Sequence, residues 1–307
     1  MAASSAGPIR VICGPTASGK TGLALRLAQH ADIVVVSADS RQLYRRFDIG
    51  TAKPTPEEQR ALRHLGIDVL DPTERASAAW WGDRADTWIR ETRAAGREPV
   101  IVGGTGLYLR ALFGDLFDEP ALDAERRTAL GVELATLPTE SLRHWVRELD
   151  PARAHLGRTQ LLRAAEIALL TGRRVSDLHR ERSRPARWRA RYLVVDPGDE
   201  LAHRIEHRTR TMIAGGWREE VRGLMRDVPA DAPAWNACGY GAIRQLEDGT
   251  LSEREAEQRV VVATRQYAKR QRTWFRYQLA GLDVTRLDPR VPDWEARAIN
   301  WWNTCDA

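Results

Sequence analysis

The sequence predicts an α/β fold in which helices flank a parallel β-sheet and a helical insertion interrupts the chain. Three observations support this prediction. Four short apolar runs rich in β-branched residues recur along the 307-residue chain. Helix-like stretches separate the first three runs, and strands that alternate with helices indicate a parallel sheet. Strand signals then vanish between residues 116 and 186, where Arg, Glu, Leu and Ala dominate.

The four predicted strands are apolar runs that end in turns. They are IRVIC (9–13), DIVVVS (32–37), PVIVGG (99–104) and RYLVVD (191–196). Runs of this kind are typical of strands that are buried on both faces. Helices are predicted at 20–30 and near 77–95. Because ligands of parallel sheets bind beyond the carboxyl ends of the strands, the turns after the strands are candidate binding sites.

An insertion divides the predicted α/β domain. Helical spacing over 116–186 predicts a helical insertion domain between the third and fourth predicted strands. Residues 1–115 and 187–307 are then the two parts of the α/β core. No internal repeat and no low-complexity tract interrupts either region.

The C-terminal part of the core is predicted to be helical. One helix is predicted over 200–227 and another over 252–279. A capping box formed by Ser252 and Glu255 opens the second helix. Residues 280–307 carry no prediction.

Composition and charge describe an ordinary globular protein. No apolar run approaches the roughly 20 residues that a membrane span requires. The first residues lack the apolar core of a signal peptide, so we expect a cytoplasmic protein without membrane contact. The net charge of +5 permits a polyanionic partner, and nothing in the sequence indicates an obligate oligomer, so we expect a monomer. Cys13, Cys238 and Cys305 stand far apart, which argues against a zinc site and a disulfide framework.

Lysine is rare in this chain. Of 47 basic residues only three are lysines, namely Lys20, Lys53 and Lys269. Such a bias replaces lysine with arginine wherever a generic positive charge suffices. Because an ammonium group differs from a guanidinium group in shape and hydration, the three lysines are candidate functional residues.

The first predicted strand leads into GPTASGKTG, which contains the Walker A pattern Gly14-x-x-x-x-Gly19-Lys20-Thr21. The pattern stands between a strand and a helix, which is the context that a phosphate-binding loop requires. Backbone N–H groups and the helix N-terminus can bind phosphate oxygens, Lys20 adds a positive charge, and the Thr21 hydroxyl is a candidate Mg²⁺ ligand. The fold is therefore predicted to be P-loop NTPase-like, with a di- or triphosphate bound at residues 14–21.

The phosphate loop alone does not define the reaction. A nucleotide hydrolase places an acidic residue at the end of another apolar strand, where it acts through Mg²⁺. The third predicted strand ends instead in Gly-Gly-Thr-Gly, and the acidic residue at a strand end is Asp39, in VSADSRQLY. From the residues alone, Asp39 is a metal ligand, a general base or a helix N-cap.

Four motifs together resemble one enzyme family. GPTASGKT, SADSRQLYRRFDIGTAKPT, GGTGLYLRAL and TRQYAKRQRTWFR occur in the order and at about the spacing of the tRNA dimethylallyltransferases, also called tRNA isopentenyltransferases. The resemblance runs from about residue 8 to residue 280, and each of the three lysines occupies a motif position. The Cys/His finger of some eukaryotic relatives is absent, so the chain resembles the bacterial type.

The resemblance implies transfer of a prenyl group from dimethylallyl diphosphate to N6 of the adenine immediately 3′ of the tRNA anticodon. It implies that Asp39 is the general base, that Thr16 lies near the reacting centre, and that Arg204 and Arg208 serve the pyrophosphate side. Mg²⁺ on Thr21 is the implied cofactor. The implied diphosphate contacts are Gly14, Pro15, Thr16, Ala17, Ser18, Gly19, Lys20 and Thr21.

The helix predicted over 252–279 carries a basic stripe and an apolar stripe. The basic stripe consists of Arg265, Lys269, Arg272 and Arg276, and the apolar stripe consists of Val260, Ala263, Tyr267 and Trp274. A basic stripe is ordinarily a solvated face, but the resemblance places this helix beside the tRNA anticodon stem-loop, which would present a flipped adenine. The implied tRNA contacts are Asp39, Ser40, Arg41, Gln42, Thr105, Arg127, Thr159, Gln160, Leu161, Leu162, Arg163, Lys269 and Arg272.

The chain also departs from the family pattern, and other functions remain open. His64 stands alone where the family often has a His pair, and Asn236 and Gly241 stand where relatives tend to carry basic residues. One alternative is an adenylate dimethylallyltransferase that acts on free AMP or ATP. Others are a P-loop kinase or ATPase with a helical lid, and an RNA-binding module without catalysis. The helical insertion and the RQRTW helix favour a polymeric acceptor.

Overall fold

A six-stranded parallel sheet is built from strands that are far apart in the sequence. The computed structural model describes residues 7–304 except 115, 118–121, 182 and 185. The strands are β1 (Ile9–Cys13), β2 (Ile33–Ala38), β3 (His64–Leu65), β4 (Glu98–Gly103), β5 (Leu116–Phe117), β6 (Ser183–Arg184), β7 (Ala190–Val195) and β8 (Val284–Leu287). The sheet has the order β3-β2-β4-β1-β7-β8, and all its neighbouring strands are parallel. This arrangement confirms the predicted α/β class.

Helices account for most of the remaining described chain. They are α1 (Lys20–Leu27), α2 (Pro56–Ala61), α3 (Ala78–Ala94), α4 (Gly106–Phe113), α5 (Ala124–Thr136), α6 (Thr139–Leu149), α7 (Arg158–Thr171), α8 (Val175–Glu181), α9 (Leu201–Met212), α10 (Arg218–Leu224), α11 (Tyr240–Glu247), α12 (Glu253–Gln278) and α13 (Trp294–Asn303). The capping box predicted at the start of α12 is present, because Ser252 and Glu255 each accept the other's backbone N–H.

Contacts within the chain divide it into two units. The core unit comprises Met1–Phe113 and Arg187–Ala307, and the insertion unit comprises Gly114–Ala186. The insertion unit therefore begins within two residues of the predicted start at 116 and ends at the same residue, 186.

The sheet of the core unit is covered on both faces. Successive side chains of a strand point to opposite faces. Along β1, Val11 belongs to the apolar cluster that includes residues of α3 and α4, whereas Ile12 belongs to the cluster that includes residues of α1 and α13. Burial on both faces explains why the four predicted strands are continuous apolar runs.

The carboxyl ends of three central strands lie in register. Cys13 at the end of β1 and Ala38 at the end of β2 both pair with Gly103 at the end of β4. The chain segments that follow these strands therefore leave the sheet side by side. These segments carry the phosphate-loop pattern, Asp39 and Thr105.

The single helix predicted over 200–227 is wrong. The helix α9 ends at Met212, a π-type turn covers Ile213–Trp217, and α10 starts at Arg218. Gly216 has a φ of 98° inside this turn, a backbone conformation that strongly favours glycine. The Gly-Gly pair at 215–216 therefore ends α9, although the apolar spacing continues across it.

The segment 280–307, which carries no sequence prediction, adds a sheet strand and a covering helix. The strand β8 pairs with β7 at the edge of the sheet. The helix α13 buries Trp301 and Trp302 in the cluster on the α1 face of the sheet. Cys305 lies outside the described residues, and Cys13 and Cys238 are free thiols.

The insertion unit has an apolar core of its own. Its core includes Leu142, Val146, Leu161 and Leu178, which are fully buried. The helices α5, α6, α7 and α8 supply this core, whereas the sequence predicts a helical insertion without a number of helices. The strands β5 and β6 form a two-residue antiparallel pair in this unit, which the absence of strand signals over 116–186 did not predict. Such short pairs leave no periodic signal in a sequence.

None of the helices in the described part of the chain is long and apolar enough to cross a membrane.

We predict that Gly103→Ala destabilises the core unit. A Cβ atom at this position would lie 2.2 Å from the carbonyl oxygen of Ala38, and both atoms belong to the buried sheet. Overpacking of this kind costs about 1–3 kcal/mol of unfolding free energy. Urea unfolding followed by circular dichroism measures the loss. Gly223→Ala in α10 is the matched control, because a Cβ atom there has open space and gains up to about 1 kcal/mol in a helix. Equal stability of the two variants would contradict the prediction.

Candidate functional site

Residues 14–21, the Walker loop, connect β1 to α1. The loop turns tightly, with positive φ angles of 151° at Gly14, 62° at Ala17 and 98° at Gly19. Ala17 is therefore held in a left-handed conformation that costs a non-glycine residue free energy. The Ser18 hydroxyl is buried without a hydrogen-bond partner among the described residues. Such features cluster at functional sites.

Lys20 is folded back onto the Walker loop. Its Nζ atom donates to the carbonyl oxygens of Gly14 at 3.0 Å and Pro15 at 2.7 Å. Burial lowers the pKa of Lys20 to about 8, and the negative charge of Asp39 opposes that shift. The ammonium group is therefore desolvated, and two carbonyl dipoles only partly compensate it.

Basic residues from three elements surround one opening, the phosphate cavity. Arg204 and Arg208 of α9 lie one helical turn apart and line it together with Lys20 and Lys53. Arg204 forms an ion pair with Glu200 at 3.1 Å, and the Arg208 Nη1 atom lies 3.4 Å from the Thr16 hydroxyl. The remaining lining residues are Ala17, Ser18, Gly19, Thr21, Gly22, Ala52, Pro54 and Glu58. This concentration of cations and loop amides suits a polyphosphate.

Asp39 follows β2 and is half-buried. Its Oδ1 atom accepts the Arg41 backbone N–H at 2.9 Å, so it fixes a local turn and does not cap an α-helix. Asp39 lines two cavities. The first, named the polar cavity, is also lined by Lys20, Thr21 and further polar groups. The second, named the central cavity, is also lined by Thr16. The structure therefore brings together the predicted base, the Walker loop and Arg208.

The central cavity joins polar and apolar surfaces. One part is polar and includes Thr16, Asp39 and Arg208. The apolar lining consists of Ile205, Met212, Trp217, Ala237 and Val260, and the other lining residues are Ala17, Arg41, Gly50, Thr51, Thr209, Cys238, Thr264 and Tyr267. Such a cavity can hold an apolar group beside a carboxylate and a phosphate-binding loop.

Gln271 is a site residue that sequence reasoning did not identify. This side chain is 6% exposed, and its Oε1 atom accepts the Thr16 backbone N–H at 2.8 Å. Its Nε2 atom donates to the carbonyl oxygen of Gly104 at 2.9 Å. Gln271 thus joins α12 to the Walker loop and to the segment after β4. The place of Gln271 inside the motif TRQYAKRQRTWFR could have indicated a role in the site. No local sequence pattern indicates which residues it contacts.

Lys53 holds the segment that follows Asp39. Its side chain is only 3% exposed, and its Nζ atom donates to the Tyr44 carbonyl at 2.6 Å. It also forms ion pairs with Asp48, at 2.6 Å, and Asp68. The rarity of lysine correctly drew attention to this position, and its observed contacts brace residues 44–68.

The residues predicted to bind tRNA after β2 and β4 lie together. The Ser40 backbone N–H donates to the Thr105 hydroxyl at 3.0 Å, and Arg41 lines the central cavity. Gln42 points inward, because it accepts from the Ser37 hydroxyl at 3.1 Å and donates to the Ala52 carbonyl at 3.0 Å. The Gln42 side chain therefore braces the site in this structure.

The basic stripe of α12 is partly neutralised. The Arg272 Nε atom donates to Asp196 at 2.9 Å, and Arg265 forms an ion pair with Glu206. Lys269 is exposed, and the described residues provide no ion-pair partner for it. Lys269 is thus the best placed of the two predicted tRNA contacts on α12, Lys269 and Arg272, to meet a phosphate.

The predicted tRNA contacts of the insertion unit have different environments. Arg127 donates to Glu166 at 2.6 Å, and Arg163 pairs with the same carboxylate. Leu161 is fully buried in the core of the unit, so its side chain does not face a ligand in this structure. Leu162 packs beside that core, whereas Thr159 and Gln160 are exposed at the start of α7.

The residues around Thr21 fit Mg²⁺. Thr21 and Asp39 line the polar cavity together, so one hydroxyl and one carboxylate are available there. Mg²⁺ usually keeps several waters and binds through one or two carboxylates plus the phosphates of a substrate. Within the described ranges no group of three His, Cys, Asp or Glu residues could hold a metal by itself. This hydroxyl and this carboxylate therefore suit a cation that binds together with a phosphate ligand.

We predict that the affinity for inorganic diphosphate falls as the pH rises above about 8. In the free protein Lys20 loses its proton near that pH, whereas the bound anion stabilises the charged ammonium and raises its pKa. Binding at higher pH therefore takes up a proton, and the association constant falls by up to about tenfold per pH unit. Calorimetric titration measures this slope. Lys20→Met is the control for titration of the ligand itself, and an equal slope in both proteins would refute the role of Lys20.

Comparisons with known proteins agree with this geometry. A family model described as IPP transferase matches residues 42–278, and one described as isopentenyl transferase matches residues 7–71. A tRNA dimethylallyltransferase from Gloeobacter violaceus is 44% identical over 285 residues, which cover 91% of this chain and 92% of the relative. A tRNA dimethylallyltransferase from Halorhodospira halophila is 41% identical over 304 residues, which cover 95% and 98%.

A solved structure is also similar over nearly the whole chain. The crystal structure of the tRNA isopentenylpyrophosphate transferase from Bacillus halodurans superposes with a TM-score of 0.68 at 31% sequence identity. The match covers 96% of this chain and 94% of that one. These matches confirm the family that the four sequence motifs predict. The chain is an enzyme that belongs to the tRNA dimethylallyltransferase, or isopentenyltransferase, family.

Proposed function

We propose that the enzyme transfers the dimethylallyl group of dimethylallyl diphosphate to N6 of the adenine at position 37 of tRNA, immediately 3′ of the anticodon, and releases diphosphate. The observation that carries this proposal is the central cavity. It joins Thr16 of the Walker loop, the carboxylate of Asp39 and an apolar wall. The residues of one chain suffice to line this cavity, and the proposal is that the enzyme acts as a monomer.

Asp39 is the general base in this proposal. The N6 lone pair of adenine is delocalised into the ring, so the amine is a poor nucleophile until its proton is removed. As the bond between N6 and C1 of the prenyl group forms, the bond between C1 and the diphosphate oxygen breaks. Asp39 takes the N6 proton, and the electron pair leaves with the diphosphate.

The cations of the phosphate cavity stabilise the leaving diphosphate. Lys20 follows Thr16 in the Walker loop, Arg208 lies on α9, and both share the polar cavity with Asp39. Desolvated donors that are aimed at a developing negative charge stabilise it more than water does. Arg204 lines the same opening and adds positive charge. Mg²⁺ held by Thr21 and the diphosphate oxygens would supply further positive charge when bound.

The acceptor in this proposal is the anticodon stem-loop of tRNA. Base-specific recognition of RNA uses single-stranded loops whose bases can be turned out, and a turned-out adenine can enter a cavity. The exposed Lys269 is a candidate phosphate contact. Asp39 and Arg41 line the central cavity, and the neighbouring Ser40 donates its backbone N–H to the Thr105 hydroxyl. In the insertion unit, Arg127, Thr159, Gln160 and Arg163 are candidate contacts for the RNA.

We predict that the protein converts unmodified tRNA to a product that contains N6-dimethylallyl adenosine. Mass analysis of nucleosides after incubation with dimethylallyl diphosphate tests this. Asp39→Asn should lower kcat by about 10²–10⁴-fold, because general base catalysis contributes about that much, while tRNA binding persists. Asp71→Asn, which removes an exposed carboxylate outside both cavities, is the control.

Two outcomes would contradict the assignment. If Asp39→Asn loses tRNA binding but keeps an unchanged kcat, Asp39 is not the general base. Label that enters AMP but not tRNA would identify an adenylate dimethylallyltransferase instead.

We predict that Lys269→Ala reduces the salt dependence of tRNA binding. Each phosphate contact contributes about one unit to the slope of log K against log salt concentration, so the slope should fall by about one. Arg272→Ala should change the slope less, since Asp196 already neutralises that guanidinium. Filter binding of an anticodon stem-loop at several salt concentrations measures both slopes. A larger change for Arg272→Ala would show that the tRNA backbone contacts Arg272 and not Lys269.

A further inference from the structure

The central cavity has a defined long direction, because two helices run along it from the Walker loop. On α9, Arg208 contacts Thr16 at 3.4 Å, and Met212 follows about 6 Å further along the helix axis. On α12, Gln271 contacts the Thr16 backbone at 2.8 Å, and the cavity residues Tyr267, Thr264 and Val260 recede from it. Both helices therefore lead away from the phosphates.

The two helices meet at Trp217. Trp217 follows Met212 across the π-type turn, and both residues line the cavity. A Cβ atom built at Gly239 would lie 2.4 Å from the Trp217 ring and 3.1 Å from Val260 Cγ1, so Val260 and Trp217 border the same point. Trp217, Val260 and Met212 therefore form the end of the cavity away from Thr16, and their side chains are apolar except for the indole N–H of Trp217, which has no hydrogen-bond partner in the described part of the chain.

The Trp217 indole has no room to move. It is 1% exposed, and Gly50 and Gly239 approach it so closely that a Cβ atom at either would lie within 2.2–2.4 Å of ring atoms. It also contacts Tyr240 edge-to-face, with ring centroids 5.4 Å apart. Protein interiors are close-packed and do not expand to admit additional carbon atoms. A side chain held in this way is a rigid wall.

We propose that Trp217 is a specificity-determining residue that limits the donor to one isoprene unit. This inference rests on the proposed function. The diphosphate at the Walker loop fixes the head of the donor, and the rest of the prenyl group extends along α9 and α12 toward the indole. A five-carbon group fits between these two ends, whereas the second isoprene unit of geranyl diphosphate collides with Trp217.

A shorter side chain at this position should admit the ten-carbon donor. The chemistry is the same with either donor. The bond between C1 and the diphosphate oxygen breaks, the bond between C1 and adenine N6 forms, the N6 proton passes to Asp39, and diphosphate leaves. Only the volume at the far end of the cavity differs.

The test compares the two donors in wild type and Trp217→Leu, with an unmodified anticodon stem-loop as acceptor. We expect the ratio of kcat/KM for geranyl diphosphate to that for dimethylallyl diphosphate to rise at least about tenfold in Trp217→Leu. Trp235→Leu is the matched control, because Trp235 contacts the same Tyr240 ring but does not line the cavity. Its donor ratio should stay within about twofold of wild type.

Each outcome decides one question. An unchanged donor ratio in a Trp217→Leu protein that still transfers the dimethylallyl group overturns the proposal. A change in the KM for RNA alone also overturns it, because it would place the purine against the indole. If Trp217→Leu does not fold by circular dichroism, Trp217→Phe is scored by the same ratio. Equal kcat/KM values for the two donors in the wild-type protein would overturn the proposed role of Trp217, whatever the variants show. Transfer of neither donor by wild type would instead contradict the proposed function.

Discussion

The in-register carboxyl ends of β1, β2 and β4 are the constraint on which the site depends. Cys13 and Ala38 both pair with Gly103, so three strands stop at one level of the sheet. The next residues of each strand then have to share one small volume. Because side chains that act on one substrate must be placed within a fraction of an ångström, a rigid sheet edge is a better support for them than mobile loops.

The charged side chains of the site are arranged to bind an anionic ligand. Lys20 and Arg208 are both desolvated, and burial lowers the pKa of each. Carbonyl groups and Asp39 compensate these cations only in part. Since an incompletely paired buried charge is costly, a bound polyanion recovers free energy that folding does not. In the proposed reaction, these cations would stabilise the negative charge that grows on the leaving diphosphate.

Local sequence patterns predicted the parts of the fold and site that depend on local structure. The strands β1, β2, β4 and β7, the Walker loop and the Ser252 capping box follow from short runs of neighbouring residues, and Asp39 was found because it ends a strand. Gln271 and Trp217 could not be found in this way, since their partners are brought to them by tertiary contacts. The break in the helix predicted over 200–227 was missed because the apolar period continues through the Gly-Gly pair.

The hydrogen bond between Thr16 and Gln271 joins residues 255 positions apart. Translation makes the Walker loop 255 residues before Gln271, so a nascent chain carries its phosphate loop long before the acceptor of the Thr16 N–H exists. Throughout that interval the loop lacks the brace that holds it against the segment after β4. The site is therefore completed only after α12 has been synthesised. A truncated translation product that retains the Walker motif but lacks α12 does not contain the completed site.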